Sequence, residues 1–193
     1  MHEGKRGVLF VFSGPSGVGK GTLKAKLFEE FADRIAYSVS ATTRGPREGE
    51  VDGRDYFFIT RQEFERRVKN NEFLEYAEFA GNCYGTPRAY VEKLLDSGMN
   101  VVLEIDVQGA LQVMKSMPEC VSVFILPPSF EELEHRLRGR GTETEEKVRE
   151  RLETAKRELP YAPQYDYQIV NGDDIEAAYQ SLREVFLKST GEA

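Results

Sequence analysis

The sequence predicts an α/β fold in which a mainly parallel sheet is flanked by helices, and three observations predict it. Short, continuous apolar runs recur along the chain, as strands buried on both faces require. Stretches with apolar residues at helical spacing lie between and after those runs, and strands alternating with helices build parallel sheets. The first run leads straight into a glycine-rich turn and then a helical pattern, the repeating order of such sheets. With 193 residues, 40% apolar and 31% charged, the chain has the composition of a globular protein and the length of one domain with a sizeable core.

Residues 7–13 (GVLFVFS) form the first buried strand, and residues 20–31 (KGTLKAKLFEEF) the helix after the turn. Residues 35–87 break the rhythm. They are rich in Thr, Tyr, Phe and Gly, with strand-like pieces at 55–59 and 73–79, and read as a small β-rich insertion. Two more core strands follow at 100–105 (NVVLEI) and 121–126 (VSVFIL). The stretch 129–163 is strongly helical and highly charged. Ser129 with Glu132, and Thr142 with Glu145, have capping-box spacing and mark two helix starts. Gly139 and Gly141 break the chain between them, as hinge residues do. A last strand at 168–170 precedes a terminal helix that Asp173 caps, with apolar positions Ile175, Ala178, Tyr179, Leu182, Val185 and Phe186. No internal repeat interrupts this series.

Charge and cysteine content narrow the function. A net charge of −7 argues against general binding of nucleic acid or membranes, because phosphate backbones reward basic surfaces. A small polyphosphate can still bind where cations are locally concentrated. Lys5 and Arg6 before an apolar run imitate a signal peptide, but the run is short and ends in a glycine-rich motif, as a buried strand does. No stretch approaches the roughly 20 apolar residues of a membrane span. Cys83 and Cys120 stand far apart, with no CxxC and no histidine at metal spacing, which suits two free thiols in a reducing cytoplasm, Cys120 packed in a strand. His2 and His135 are too isolated for a metal site and read as surface residues.

The pattern GxxxxGK is complete from Gly14 through Pro15, Ser16, Gly17, Val18 and Gly19 to Lys20. Its glycines let backbone N–H groups turn onto phosphate oxygens, the following helix adds the positive end of its dipole, and Lys20 meets the β- and γ-phosphates. The strand–turn–helix context makes this a P-loop NTPase-type fold. One position departs from the pattern. Gly21 stands where a Walker motif carries Ser or Thr to touch Mg²⁺, and the hydroxyl of Thr22, one residue on, points elsewhere. The metal is therefore expected to rest on substrate phosphates, water and carboxylates. Glu104 and Asp106, two apart at a strand end, share a side and are the candidate carboxylates. Residues 106–109 (DVQG) imitate a GTPase switch, but no guanine-reading NKxD follows.

The acceptor is written in residues 38–56 (SVSATTRGPREGEVDGRDY), where Arg44 and Arg47 flank a turn and suit bidentate contact with a phosphate. This segment closely resembles the guanylate kinases, which transfer the γ-phosphate of ATP to GMP. The resemblance covers nearly the whole chain. It includes the phosphate loop, the pattern SxSxTTRxPRxGExxGxDY, residues 72–86 (EFLEYAEFAGNCYGT), 104–109 (EIDVQG), 127–129 and 140–146 (RGTETEE). It implies one domain with a core at 1–34, 88–128 and 164–193, a GMP-binding insertion at 35–87 and a helical lid at 129–163.

Carried over position by position, the resemblance implies that Arg44, Arg47, Tyr56 and Tyr84 hold the GMP phosphate, and that Ser40, Glu75 and Thr86 read guanine. A carboxylate accepts from both N1–H and the 2-amino group of guanine, whereas adenine presents an unprotonated N1. Asp106 matches a position near the acceptor nucleoside and the metal; Glu104 stands where some members have Asp. Arg136, Arg140 and Arg151 match lid arginines over the ATP phosphates, while Arg138 and Arg149 match no such role and read as helix-surface ion-pair residues. Asn171 matches a position near the adenine. The implied reaction is direct in-line transfer from MgATP to GMP, in which the protein positions groups and neutralises charge. No residue clearly reads the 2′-hydroxyl, so dGMP stays open as an acceptor. Guanylate-kinase-like scaffold domains, which bind phosphopeptides, typically lack a working phosphate loop; here Lys20 is present.

Overall fold

A computed structural model describes residues 5–139 and 144–192. In chain order its elements begin with β1 (Leu9–Ser13), α1 (Lys20–Glu30), β2 (Ile35–Tyr37), β3 (Ala41–Thr42), β4 (Phe57–Phe58), α2 (Arg61–Lys69), β5 (Phe73–Phe79) and β6 (Asn82–Pro87). They continue with α3 (Arg88–Asp96), β7 (Asn100–Glu104), α4 (Val107–Ser116), β8 (Val121–Leu126), α5 (Phe130–Gly139), α6 (Glu145–Glu158), β9 (Tyr167–Val170) and α7 (Ile175–Thr190). The chain divides into two compact units: residues 1–9, 34–103 and 108–120, and residues 10–33, 104–107 and 121–193. In the first unit β2 pairs with β7, and in the second β1 pairs with β8 and β8 with β9; all three pairings are parallel, as the apolar runs predict.

In the first unit, Asn100 is a buried polar anchor at the start of β7. Its Oδ1 accepts from the Val8 N–H at 2.9 Å and its Nδ2 donates to the Arg34 carbonyl at 3.1 Å, so burial leaves its amide satisfied. A sheet ordered β4-β3-β6-β5 carries Glu75, Tyr84 and Thr86, three of the residues expected at the acceptor site. Strands β5 and β6 form an antiparallel hairpin whose turn uses positive φ at Ala80 and Gly81, as tight hairpins do. Its register sets Glu75 opposite Thr86. The sheet packs Ala41, Phe73 and Cys83 against Phe64 of α2. That helix is absent from the β-rich reading of this segment. Its signal was present: Thr60 and Glu63 have capping spacing, and the Thr60 side chain accepts from the Glu63 N–H.

In the second unit, β1 is buried along its whole length. Phe186 of α7 packs against Phe10 and Phe31, with ring centroids 5.2 and 4.5 Å apart, and each such buried ring contributes about 1.5–3 kcal/mol. Helices α5 and α6 bury Leu133 and Leu137 against Val148, Leu152 and Ala155.

Several predicted boundaries move, each for a local reason. The first strand begins at Leu9, two residues late, and the piece at 55–59 shrinks to Phe57–Phe58, because Gly53 and Asp52 fold back onto Tyr56 and Phe58. Strand β7 ends at Glu104, and the last strand starts at Tyr167. Thr144, not Thr142, caps α6, its side chain accepting from the Lys147 N–H; Thr142 and Gly141 lie outside the described residues. Gly139 is the last residue of α5. Asp174, not Asp173, caps α7 by accepting from the Glu176 N–H. Ser129 caps α5 as predicted, accepting from the Glu132 N–H at 3.1 Å. Cys120 is buried just ahead of β8 and not within it, and neither cysteine forms a disulfide. No helix among the described residues is long and apolar enough to cross a membrane.

Candidate functional site

The phosphate loop lies in the second unit between β1 and α1. Two of its glycines are obligatory. Gly14 has φ +144°, and a Cβ there would sit 2.3 Å from the Ile125 carbonyl oxygen; Gly19 has φ +93°, and a Cβ there would sit 2.4 Å from Asn171 Nδ2. Helix α1 opens with no side-chain cap and no acidic residue in its first turn, whereas Thr60, Thr144 and Asp174 cap α2, α6 and α7. An N-terminus with no side-chain cap and no acidic residue in its own first turn leaves main-chain N–H groups and the dipole for an anion. Lys20 donates to the carbonyls of Gly14 at 2.5 Å and Pro15 at 2.9 Å, which folds its ammonium over the loop. Burial lowers its pKa below the usual 10.5, opposed by the negative charges of Glu104 and Glu158.

Gly14, Ser16, Lys20, Glu104, Asp106 and Glu158 line one cavity of about 280 Å³. The carboxylates Glu104 and Asp106 are thus brought to the lysine, as the strand-end spacing predicts. Glu104 is engaged by Lys24, one turn beyond Lys20, at 2.5 Å. The hydroxyl of Ser13 donates to the Ile105 carbonyl at 2.8 Å and ties the start of the loop to the acidic turn. At Gly21 a Cβ would meet nothing within 4 Å, so the site has room for the missing hydroxyl but no atom to supply it. No group of three or more His, Cys, Asp or Glu among the described residues is placed to hold a metal ion. Two carboxylates without a third are too few for an all-protein cage, so a Mg²⁺ here would need phosphate and water oxygens beside Asp106 and Glu104.

The helices α5 and α6 bring further arginines to the loop. Arg151 donates to Ser16 Oγ at 2.8 Å. Arg136 donates to Glu132 at 2.9 Å and to the carbonyls of Asn171 and Gly172 at 2.9 and 3.0 Å. Asn171, 4% exposed, donates from Nδ2 to the Val18 carbonyl at 2.8 Å and so braces the loop from behind. Gly17, Val18, Gly19, Glu132, His135 and Arg136 border a second cavity, of about 500 Å³. Arg138 pairs with Glu134 and Glu145, and Arg149 with Glu145, as helix-surface residues do. Arg140 lies outside the described residues.

The residues expected to bind the acceptor gather in the first unit. Arg44 sits 5.4 Å from the ring centre of Tyr56, within reach of Tyr84, whose ring stands edge-on to that of Tyr56 at 6.2 Å. Arg47 is exposed on the turn beyond. Thr86, 1% exposed, donates to Glu75 Oε1 at 2.6 Å and orients that carboxylate; Ser40, half-buried, accepts from the Phe57 N–H through its carbonyl. Sequence reasoning assigned no role to Glu50, Lys24, Ser13 or Glu158. Glu50 lay inside the matched PRxGE pattern, and only its pairing in space gives it a role. Lys24 and Glu158 carried no local signal.

A family model described as guanylate kinase matches residues 6–189. The guanylate kinase of Streptococcus thermophilus (strain CNRZ 1066) is 53% identical over 181 residues, 94% of this chain and 86% of that protein. The guanylate kinase of Bacillus anthracis is 54% identical, over 94% of this chain and 88% of its own. Among solved structures, the crystal structure of guanylate kinase from Anaplasma phagocytophilum superposes with a TM-score of 0.69 at 40% identity, covering 96% of this chain and 87% of its own.

Proposed function

The chain belongs to the guanylate kinase family, and from that premise we propose that it catalyses ATP + GMP = ADP + GDP by direct in-line phosphoryl transfer. One observation carries the choice of acceptor. Glu75, oriented by Thr86 at 2.6 Å, stands in the same unit as Arg44, Tyr56 and Tyr84, which supply one cation and two phenols for a dianionic monoester. A fixed carboxylate accepts from guanine N1–H and the 2-amino group and repels the unprotonated N1 of adenine, a discrimination of up to about 10⁴–10⁵.

Each remaining group has a role in this reading. The loop amides of residues 14–19 and Lys20 hold the donor phosphates. The cavity beside Gly17, Val18 and Arg136 suits the nucleoside of ATP, and Asn171 acts there through its brace on the loop. Arg44 and Arg47 hold the acceptor phosphate, with Ser40 beside the base. Arg136, Arg140 and Arg151 belong to a lid at 129–163, whose closure neutralises the transferring group and excludes water. Asp106 and Glu104 are the carboxylates that would stand near Mg²⁺, which would supply neutralisation of the donor phosphates' charge. The acceptor phosphate is already nucleophilic, so no general base is required. The insertion at 35–87 is the acceptor module, the compartment is the cytoplasm, and use of dGMP as a second acceptor is left to assay.

A coupled assay with ATP and GMP, dGMP, AMP or dTMP tests the reading. Fast turnover is expected with GMP. Turnover of AMP or dTMP with none of GMP overturns it.

A further inference from the structure

Glu50 occupies a place in the acceptor cluster that the reaction outlined above leaves unexplained. Its two carboxylate oxygens accept from both terminal nitrogens of Arg44, Nη1 at 3.0 Å and Nη2 at 2.8 Å, the side-by-side geometry that suits a planar guanidinium. The same carboxylate accepts from the backbone N–H of Arg47 at 2.7 Å. The Glu50 N–H in turn donates to the Arg47 carbonyl at 3.1 Å and closes a tight turn over residues 47–50. One carboxylate therefore ties the guanidinium of the first arginine to the main chain of the second. Both paired side chains are largely covered, at 15% and 20% exposure, which is unlike an ordinary surface ion pair.

We propose that Glu50 is the positioning residue of the phosphate-acceptor site, holding Arg44 and Arg47 at the separation that a phosphate monoester bridges. This rests on the reading of Arg44 and Arg47 as phosphate ligands. A guanidinium has five N–H donors. Arg44 spends two on Glu50 and one on the Gly45 carbonyl, at 2.8 Å, which leaves two on the side of Tyr56 and Tyr84, where the Tyr84 hydroxyl is also within hydrogen-bond reach. Without Glu50 the long Arg44 side chain would explore its rotamers, and each binding event would carry the cost of ordering it. The carboxylate is a dependable anchor, because the hydrogen bonds from Arg44 and from the Arg47 N–H hold its pKa down to about 2, and it stays ionised across the whole working range.

Calorimetric titration of the full chain with GMP, guanosine and ATP tests this. Glu50→Gln is expected to weaken GMP by about tenfold or more, through lost preorganisation, while guanosine and ATP change by less than about twofold. In an Arg44→Ala background, Glu50→Gln should cost clearly less than in the wild type, because only its hold on the Arg47 main chain is left to lose. Glu50→Asp keeps the charge but shortens the reach; its expected loss is intermediate, and it serves if Glu50→Gln does not fold. Unchanged GMP affinity, an equal loss for GMP and guanosine, or additive losses in the double variant would each overturn the proposal. If the wild type binds another monophosphate in place of GMP, the base assignment fails, and the Glu50 effect is read on that monophosphate, since it acts on the phosphate. A wild type that binds no monophosphate overturns both.

Discussion

In the function proposed above, the phosphate-binding groups of the second unit belong mostly to the main chain and are braced by main-chain contacts. The glycines of the loop expose N–H groups, the uncapped N-terminus of α1 adds its own, and Asn171 and Lys20 both bind loop carbonyls. The first unit does the opposite. Its acceptor groups are side chains held by other side chains: Arg44 by Glu50, and Glu75 by Thr86. Main-chain recognition suits the triphosphate tail common to many nucleotides. Side-chain recognition can tell one base from another, because exchanging a carboxylate changes the hydrogen-bond pattern offered. The difference teaches where this protein is generic and where it is specific.

The largest expected effect lies in the generic half. Lys20→Ala should lower kcat by about 10³-fold or more by removing a positioned cation from the transferring phosphate, with the melting temperature nearly kept. Steady-state assays beside thermal melts check this, and near-normal turnover breaks the donor assignment. In the specific half, Glu75→Ala should lower kcat/KM for GMP by about 10²-fold or more while leaving KM for ATP within about twofold. Parallel titration of the two substrates reads it, and equal losses in both would point to misfolding.

Two glycines sharpen the contrast within the loop itself. Gly19→Ala should cost at least about 1–3 kcal/mol of stability, since its φ of +93° and the 2.4 Å approach to Asn171 Nδ2 leave no place for a methyl group. Gly21→Ala, two residues on in the first turn of α1 and facing open space, should gain about 0.5–1 kcal/mol. Urea unfolding of both variants decides this, and similar values for the two would remove the distinction. The smallest effect concerns pH. Burial lowers the Lys20 pKa, so its charge is lost at a lower pH than in a free lysine. ATP affinity should therefore decline as pH rises toward, but before reaching, 10.5, and Lys20→Arg should flatten that decline. A flat wild-type profile contradicts it.

Much of this was readable along the chain. Glycine spacing after an apolar run revealed the phosphate loop, because the backbone conformation that binds phosphate admits few residues besides glycine. The parallel strands at 100–104 and 121–126 were legible as apolar runs for a similar reason: a strand buried on both faces has no polar alternation. Helix α2 was missed because Phe and Tyr dominate its surroundings, although Thr60 and Glu63 announced it. The caps Thr144 and Asp174 were misplaced by two residues and by one, since several side chains near each helix start can accept the same N–H.

By itself, then, the sequence determined an α/β phosphate-loop protein, and its likeness to guanylate kinases supplied GMP as the expected acceptor. Local backbone chemistry carries the first, and an ordered set of motifs carries the second. Only the tertiary structure decided how the side chains are held: Lys24 on Glu104, Asn171 on Val18, Glu50 on Arg44 and Thr86 on Glu75. Three of those pairs join residues 11 to 153 positions apart, and Glu50 reaches Arg44 across its own turn only because that turn closes. Such pairings depend on where the chain returns to itself, and residue order does not record it.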